Sequence, residues 1–152
     1  MVPVLAGGGS RLSAHIGVLA ALDEMRVDIR DLVGVSGGSI VGAMYACGYS
    51  LADIRIAAEE TDFGQFLDQS LFSLLRTGGL STGDRFEQWI DDKLKGIRIR
   101  ALKRRFHVVA TDVRSGLPVI FDKDRTPDLR VSQAVRFSMS IPILFSFKEF
   151  KD

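Results

Sequence analysis

Asp31-Leu-Val-Gly-Val-Ser36-Gly-Gly38 is a short apolar run that ends in the pattern Gly-x-Ser-x-Gly, and mostly small or apolar residues continue it to Cys47. A strand, a sharp turn and a helix form the context in which this pattern makes a nucleophile elbow, with the serine at the tip of the turn. Glycine lacks a Cβ, so a strand and a helix on either side of Ser36 can approach each other closely. The same letters also fit an ordinary glycine-rich turn. The stretch predicts Ser36 as a candidate nucleophile and Gly34, Gly37 and Gly38 as the glycines of the elbow.

The amino-terminal part of the chain has a second glycine-rich segment. Residues 2–6 predict a first strand, which runs into Gly7-Gly8-Gly9-Ser10-Arg11, and residues 14–22 have helical character. A glycine-rich loop between a strand and a helix exposes backbone N–H groups at the positive end of the helix dipole and can bind an anion. A Rossmann pyrophosphate loop would need a glycine where Leu12 stands, and a P-loop would need a lysine. An oxyanion hole needs only N–H donors, which makes it the favoured interpretation of the loop formed by Gly7, Gly8, Gly9, Ser10 and Arg11.

Length and composition favour one globular domain spanning residues 1–152. A net charge of +1 gives the whole chain no attraction for nucleic acid, and none is expected as a partner. The single cysteine, Cys47, excludes an intrachain disulfide and suits a reducing compartment. No secretory leader opens the chain, and no apolar run reaches the roughly 18 residues of a membrane span. We therefore expect a cytoplasmic domain that can associate peripherally with membranes.

Taken together, these motifs resemble the start of the patatin-like phospholipase family. The loop at residues 7–11 and the elbow at residues 34–38 stand in family order. Further segments that resemble the family are residues 79–84, residues 108–116 and residues 134–142. The resemblance covers nearly the whole chain and implies a three-layer α/β/α domain with a mainly parallel central sheet, incomplete at its carboxyl terminus. It also implies hydrolysis of phospholipids or other acyl lipids. One departure is Leu12, where the family usually carries a further glycine, and it affects the expected shape of the loop.

The resemblance also implies a Ser–Asp dyad, with the aspartate in an Asp-Gly turn that follows a Ser-x-x-x-Pro segment. This sequence has no Asp-Gly dipeptide, and Asp152 falls just before the place where the family pattern puts that turn. Asp112 is interpreted as a structural residue at a strand end. We therefore expect the dyad aspartate to lie beyond residue 152 and the chain as given to be nearly inactive.

Two other functions remain open from the residues alone. One is a histidine-assisted serine esterase or thioesterase that acts on small soluble esters, with His107 or an unrecognised group as the base. His15 and His107 do not follow the Ser…Asp…His order of α/β-hydrolases, which counts against this function. The other is a non-catalytic module whose glycine loop binds an anion or a nucleotide. His15, His107 and Cys47 lack the spacing of metal ligands, so we expect neither a metal nor a cofactor.

The rest of the chain predicts ordinary elements of an α/β domain. The dense apolar region at residues 63–75 is interpreted as core rather than as an acyl channel. Residues 93–106 carry seven basic side chains and no acidic one, which favours a solvated face over a contact with anionic lipid. The prediction is completed by a helix capped by Ser50, a helix from Asp84, a hairpin at residues 106–121, a helix at residues 131–138 and a last strand at residues 143–150. The sequence does not specify an oligomeric state.

Overall fold

The computed structural model describes residues 1–8, 11–66, 79–81, 83–140, 143–145 and 150. The strands are β1 (Val4–Leu5), β2 (Asp31–Val35), β3 (Gly79–Ser81), β4 (Arg105–Thr111), β5 (Pro118–Phe121) and β6 (Ile143–Phe145). The α-helices in this part of the chain are α1 (Ser13–Glu24), α2 (Gly37–Cys47), α3 (Leu51–Glu60), α4 (Asp84–Leu94) and α5 (Val131–Ser138). Short 3-10 helices occupy Phe63–Phe66 and Ile99–Ala101.

The main sheet has four strands in the order β1-β2-β4-β5. β1, β2 and β4 are parallel, with Leu5 beside Gly34 and Val35 beside Val109. β5 returns antiparallel to β4 through a tight hairpin. β3 and β6 pair in parallel as a separate two-stranded sheet. The prediction of an α/β fold with a mainly parallel sheet is confirmed.

Helix α2 lies at the centre of the molecule because its sequence lets it approach the sheet. Every residue from Gly37 to Ala46 is buried. A Cβ at Gly42 would lie 2.6 Å from the ring of Phe106, and one at Gly34 would lie 2.9 Å from the same ring. Real side chains do not tolerate such distances, so these glycines let the Phe106 ring fill the space between helix and sheet. Helices α1, α3, α4 and α5 all contact α2.

The two faces of the sheet differ in burial. Leu32 and Phe106 point toward α2 and are fully buried. The alternating residues Val33 and Val109 are only partly buried, and Val4 is 63% exposed. Residues that alternate along a strand point to opposite faces, so the face that carries these valines is the more open one.

The ends of the helices follow the predicted signals. The hydroxyl of Ser50 accepts the N–H of Asp53 at 3.1 Å and caps α3. Gly48 ends α2 in the left-handed conformation, with φ of 95°, where glycine carries no steric penalty. The bounds predicted for α5 match those observed. Predicted features at residues 67–75, at Thr82, at Pro142 and at residues 146–149 lie outside the described residues.

A buried arginine connects α4 to α5. Arg136 is fully buried and donates a hydrogen bond to the hydroxyl of Ser140 at 2.6 Å. Burial lowers the pKa of its guanidinium, while the charges of Glu87 and Asp84 act in the opposite direction. Gly83 has φ of 72°, and a Cβ there would overlap the guanidinium. The start of α4 is thus built around this cation. Within the described residues, no helix is long and apolar enough to cross a membrane.

Candidate active site

Ser36 lies at the tip of a strand–turn–helix unit. β2 ends at Val35, α2 begins at Gly37, and Ser36 between them has φ of 51° and ψ of −128°. A positive φ is rare for a residue with a side chain and marks a strained turn. The hydroxyl of Ser36 makes no hydrogen bond to the backbone of α2. Its contact in the described structure is the sulfur of Met139, at 3.6 Å. The side chain is therefore presented away from the helix that follows it.

The elbow depends on glycines because strand and helix cross closely there. A Cβ at Gly38 would overlap the carbonyl oxygen of Leu5 in β1. A Cβ at Gly34 would lie 2.7 Å from the Cα of Ser39. Gly37 is the first residue of α2 and is buried. The structure thus brings the predicted elbow glycines together around Ser36.

Ser138, at the carboxyl end of α5, connects the elbow to the sheet. Its hydroxyl accepts the backbone N–H of Ser36 at 2.7 Å and donates to the carbonyl oxygen of Val109 at 2.6 Å. One hydroxyl therefore bridges the strained turn and strand β4. The sequence prediction did not assign this role to Ser138. The available signal was its place as the serine of the Ser-x-x-x-Pro segment, which ends at Pro142.

The glycine-rich loop lies against the elbow. A Cβ at Gly7 would lie 3.3 Å from the Cβ of Ser36, so the backbone of Gly7 passes directly beside the serine. The N–H of Arg11 donates to the carbonyl oxygen of Gly8 at 2.9 Å and closes a turn just before α1. Gly9 and Ser10 lie outside the described residues. The oxyanion role of the loop stays a prediction, with Gly7 the member seen in contact with Ser36.

Neither histidine is hydrogen-bonded to Ser36 in the described structure. His15 Nε2 contacts the carbonyl oxygen of Ala6 at 2.8 Å. His107 lies between two carboxylates, with Nδ1 at 3.2 Å from Asp122 and Nε2 at 3.8 Å from Asp31. His107 pairs in register with Val33, three residues before the nucleophile, which corresponds to about 10 Å along a strand. Both ring nitrogens of His107 thus face carboxylates.

Asp112 and Cys47 are two further titratable groups whose pKa values are shifted. Asp112 begins the β4–β5 turn and accepts the N–H of Arg114 at 2.9 Å and the hydroxyl of Ser115 at 2.7 Å. The hydroxyl of Ser115, followed by the backbone N–H of Arg114, lowers the pKa of this exposed carboxyl. These contacts agree with a structural role. Burial raises the pKa of the Cys47 thiol to about 11, only partly opposed by Lys103, so the thiol stays protonated. Asp152 lies outside the described residues.

The described residues contain no group of three or more side chains that could hold a metal ion. The described part of the site consists of a strained serine, a neighbouring glycine backbone and a bridging hydroxyl. Such an arrangement can place a nucleophile beside backbone donors, which is what acyl transfer requires.

Comparison with known proteins gives a family match. Residues 4–152 match a family model described as patatin-like phospholipase. The uncharacterised protein YqhO of Bacillus subtilis is 33% identical over 162 residues, which covers 93% of this chain and 56% of YqhO. The uncharacterised NTE family protein Rv2565 of Mycobacterium tuberculosis is 34% identical, covering 91% of this chain and 23% of that protein. The chain thus spans about half the length of YqhO and a smaller part of Rv2565.

Two solved structures share the fold. VipD from Legionella pneumophila superposes with a TM-score of 0.79 at 18% identity, over 95% of this chain and 43% of VipD. ExoU of Pseudomonas aeruginosa, solved in complex with SpcU, superposes with a TM-score of 0.74 at 23% identity, over 93% of this chain and 38% of the matched chain. At these identities the likeness concerns the fold alone.

Proposed function

Since this chain belongs to the patatin-like phospholipase family, we propose that it carries the nucleophile of a lipid acyl hydrolase. The substrates are phospholipids or other acyl lipids presented at a membrane surface. The observation that carries the proposal is Ser36 at a strained elbow with the backbone of Gly7 beside it. The activity is proposed for the whole protein, because its curated relatives are longer than this chain.

The proposed reaction is acyl transfer in two steps. Ser36 Oγ attacks the ester carbonyl carbon while a base takes its proton, and the oxygen of the carbonyl becomes an oxyanion. Collapse of the tetrahedral intermediate expels the alcohol, which leaves with that proton, and forms an acyl-enzyme on Ser36. Water then attacks the acyl-enzyme with the help of the same base and releases the fatty acid.

Two groups support these steps in the proposal. Backbone N–H groups of the loop at residues 7–10 hold the oxyanion, and each such donor contributes roughly 2.7–4 kcal/mol to the transition state. The base is an aspartate of a Ser–Asp dyad. No described aspartate is hydrogen-bonded to Ser36 Oγ, whose described contact is Met139, and we place this aspartate beyond residue 152.

Fluorophosphonate labelling tests the proposal. We expect the full-length protein that contains residues 1–152 to gain the mass of one phosphonyl adduct, and the Ser36→Ala variant to gain none. Ser115→Ala is the matched control, because Ser115 is an exposed serine of the β4–β5 turn and its loss leaves the adduct unchanged. A folded wild-type protein without an adduct would exclude Ser36 as an activated nucleophile.

The same probe tests the position of the base. We expect residues 1–152 alone to be labelled roughly 100-fold more slowly than the full-length protein, which is the lower end of what a positioned general base contributes. Equal rates would place the base within residues 1–152 instead.

A further inference from the structure

A cleft of about 740 Å³ opens between the β4–β5 hairpin and the carboxyl end of α5. Ala110 from β4 and Val119 from β5 contribute to its walls, together with Phe137 and Ser140. The cleft lies at the carboxyl end of β4, the end of the parallel strands at which Ser36 also lies. Ligands of open α/β sheets bind outside the carboxyl ends of the strands.

The floor of the cleft is aromatic. Phe121 and Phe137 are stacked with ring centres 5.3 Å apart. Phe150 meets both rings edge to face, at 5.2 and 5.7 Å. Phe121 is 2% exposed, whereas Phe150 is 39% exposed and forms an outer wall. Asp112 and Arg114 add polar groups at the rim. The cleft thus combines an apolar interior with a polar mouth.

Residues 137–140, the last two residues of α5 and the two that follow it, lie between the cleft and the nucleophile. Phe137 and Ser140 line the cleft. Between them, the hydroxyl of Ser138 holds the N–H of Ser36, and the sulfur of Met139 contacts Ser36 Oγ. Residues of this short segment therefore contact the nucleophile and line the cleft.

We propose that this cleft binds the acyl chain of the ester whose carbonyl carbon Ser36 attacks. The identity of the ligand as an acyl chain rests on the proposed function, and the location rests on the geometry. The volume lies within the roughly 300–1,000 Å³ of small-molecule sites. Burial of the chain against Phe121, Phe137 and Phe150 supplies the binding energy.

A second cleft of similar size fits an acyl chain less well. It measures about 730 Å³ and lies between α1 and α3, where Arg55, Glu59 and Asp62 contribute charged side chains. Both clefts carry charged side chains, so position decides between them: Phe137 and Ser140, which flank the two residues in contact with Ser36, line the first cleft and not the second. The aromatic cleft is the one that offers an apolar floor next to the elbow.

Binding of cis-parinaric acid, a fluorescent fatty acid of 18 carbons, to the full-length protein tests the assignment. Val119 and Ile120 are neighbours on β5 and point to opposite faces of the sheet. Val119 lines the cleft, so Val119→Phe fills it and is expected to raise the Kd for parinarate by about tenfold or more. Ile120→Phe adds the same ring on the other face and is expected to leave the Kd within about twofold.

A second variant tests the cleft independently, in case Val119→Phe misfolds. Phe150 is partly exposed, so Phe150→Ala keeps the fold and is also expected to weaken parinarate binding, with thermal unfolding followed by circular dichroism as the check. Absence of parinarate binding to the wild type, or equal Kd values for Val119→Phe and Ile120→Phe, would overturn the assignment of the cleft.

Labelling by two fluorophosphonates separates this assignment from the proposed function. We expect Val119→Phe to slow labelling of Ser36 by a dodecyl probe at least tenfold more than labelling by an ethyl probe, whereas Ile120→Phe should change the ratio of the two rates by less than about twofold. If Ser36 reacts with both probes and the variant slows neither, the cleft assignment fails and the proposed function stands. If neither probe labels the wild type, the proposed function fails, and parinarate binding still decides whether the cleft holds a fatty chain.

Discussion

At the scale of single residues, the strained backbone of Ser36 is the central feature. A non-glycine residue in a sparsely populated conformation costs about 1–3 kcal/mol. The neighbouring contacts offset this cost. The carbonyl oxygen of Ser36 accepts both the N–H and the hydroxyl of Ser39, at 2.8 and 2.6 Å. The N–H of Ser36 donates to the hydroxyl of Ser138. Both sides of the strained residue are thus held by hydrogen bonds, which fix its backbone and the position of its Cβ.

Ser138 gives the first prediction at this scale. Ser138→Ala removes the acceptor of the Ser36 N–H and the donor to Val109, so the elbow shifts. A displacement of about 1 Å at a reacting group can cost 100-fold in rate. We expect the variant to lower the rate of Ser36 labelling by a short fluorophosphonate by about 10- to 100-fold. On a soluble ester we expect kcat to fall while KM changes little.

Ser140→Ala is the matched control for Ser138→Ala. Ser140 lies two residues further along the same turn, and its hydroxyl bonds to Arg136 rather than to the elbow. We expect this variant to keep the labelling rate within about threefold, and Ser138→Thr to restore most of the rate, because threonine retains the hydroxyl. An equal loss of rate in the two alanine variants would show that Ser138 acts through general packing.

At the scale of elements, a buried carboxylate fixes the turn that follows β5. Asp122 is 1% exposed and accepts the backbone N–H groups of Asp124 and Arg125 at 3.0 and 2.9 Å. It also contacts the guanidinium of Arg125 and the ring of His107. Burial raises the pKa of this carboxyl, but the N–H of Arg125, the ring of His107 and the N–H of Asp124 together hold it below the ordinary value of 3.8. The folded state therefore favours the charged form.

Stability should depend on pH through Asp122. Because its pKa is lowered in the folded state, its charge stabilises the fold above the ordinary pKa of 3.8, and that contribution is lost as the pH falls below 3.8. We expect Asp122→Asn to lower the free energy of unfolding by about 1.5–3 kcal/mol at pH 7. The difference from the wild type should shrink when urea unfolding is repeated at about pH 3.

Asp124→Asn tests whether burial causes this effect. Asp124 lies in the same turn but is exposed, and it pairs with the exposed Arg105. We expect its substitution to cost less than about 1 kcal/mol at pH 7. A loss as large as that of Asp122→Asn would assign the stabilisation to the charge of the turn as a whole.

The elements also show how much of the structure could be predicted from the sequence. α5, the β4–β5 hairpin and the strand–turn–helix of the elbow follow from local signals, namely apolar periodicity and the positions of glycine. The bridge from Ser36 to Ser138 joins residues 102 positions apart, and no local pattern encodes such a contact. The cleft likewise depends on strand register, which brings Val119 opposite Ala110. Its aromatic floor could therefore not be predicted from spacing.

At the scale of the whole molecule, the basic run at residues 93–106 and the nucleophile lie at opposite ends of the parallel strands. Arg105 opens β4 beside Asp31, whereas Ser36 follows the other end of β2. Much of the run is already engaged by neighbouring groups. Arg98 and Arg100 contact Asp128, and the guanidinium of Arg104 lies 4.3 Å from the ring centre of Tyr45. This placement supports a solvated face rather than a surface that brings lipid to Ser36.

Hydrolysis of lipid vesicles can test which end of the strands faces the lipid. On phosphatidylglycerol vesicles, we expect a triple variant, Arg98→Gln with Arg100→Gln and Lys103→Gln, to keep the rate of fatty acid release within about twofold. Arg114→Gln is the comparison. Arg114 lies in the turn beyond the carboxyl end of β4, at the same end of the strands as Ser36. One basic residue near an anionic membrane contributes roughly 1 kcal/mol, so its loss should slow release about fivefold. The opposite result would be a large loss of the release rate in the triple variant and none in Arg114→Gln, with both variants still labelled by a soluble probe. It would place the lipid surface at the end of the strands that carries the basic run.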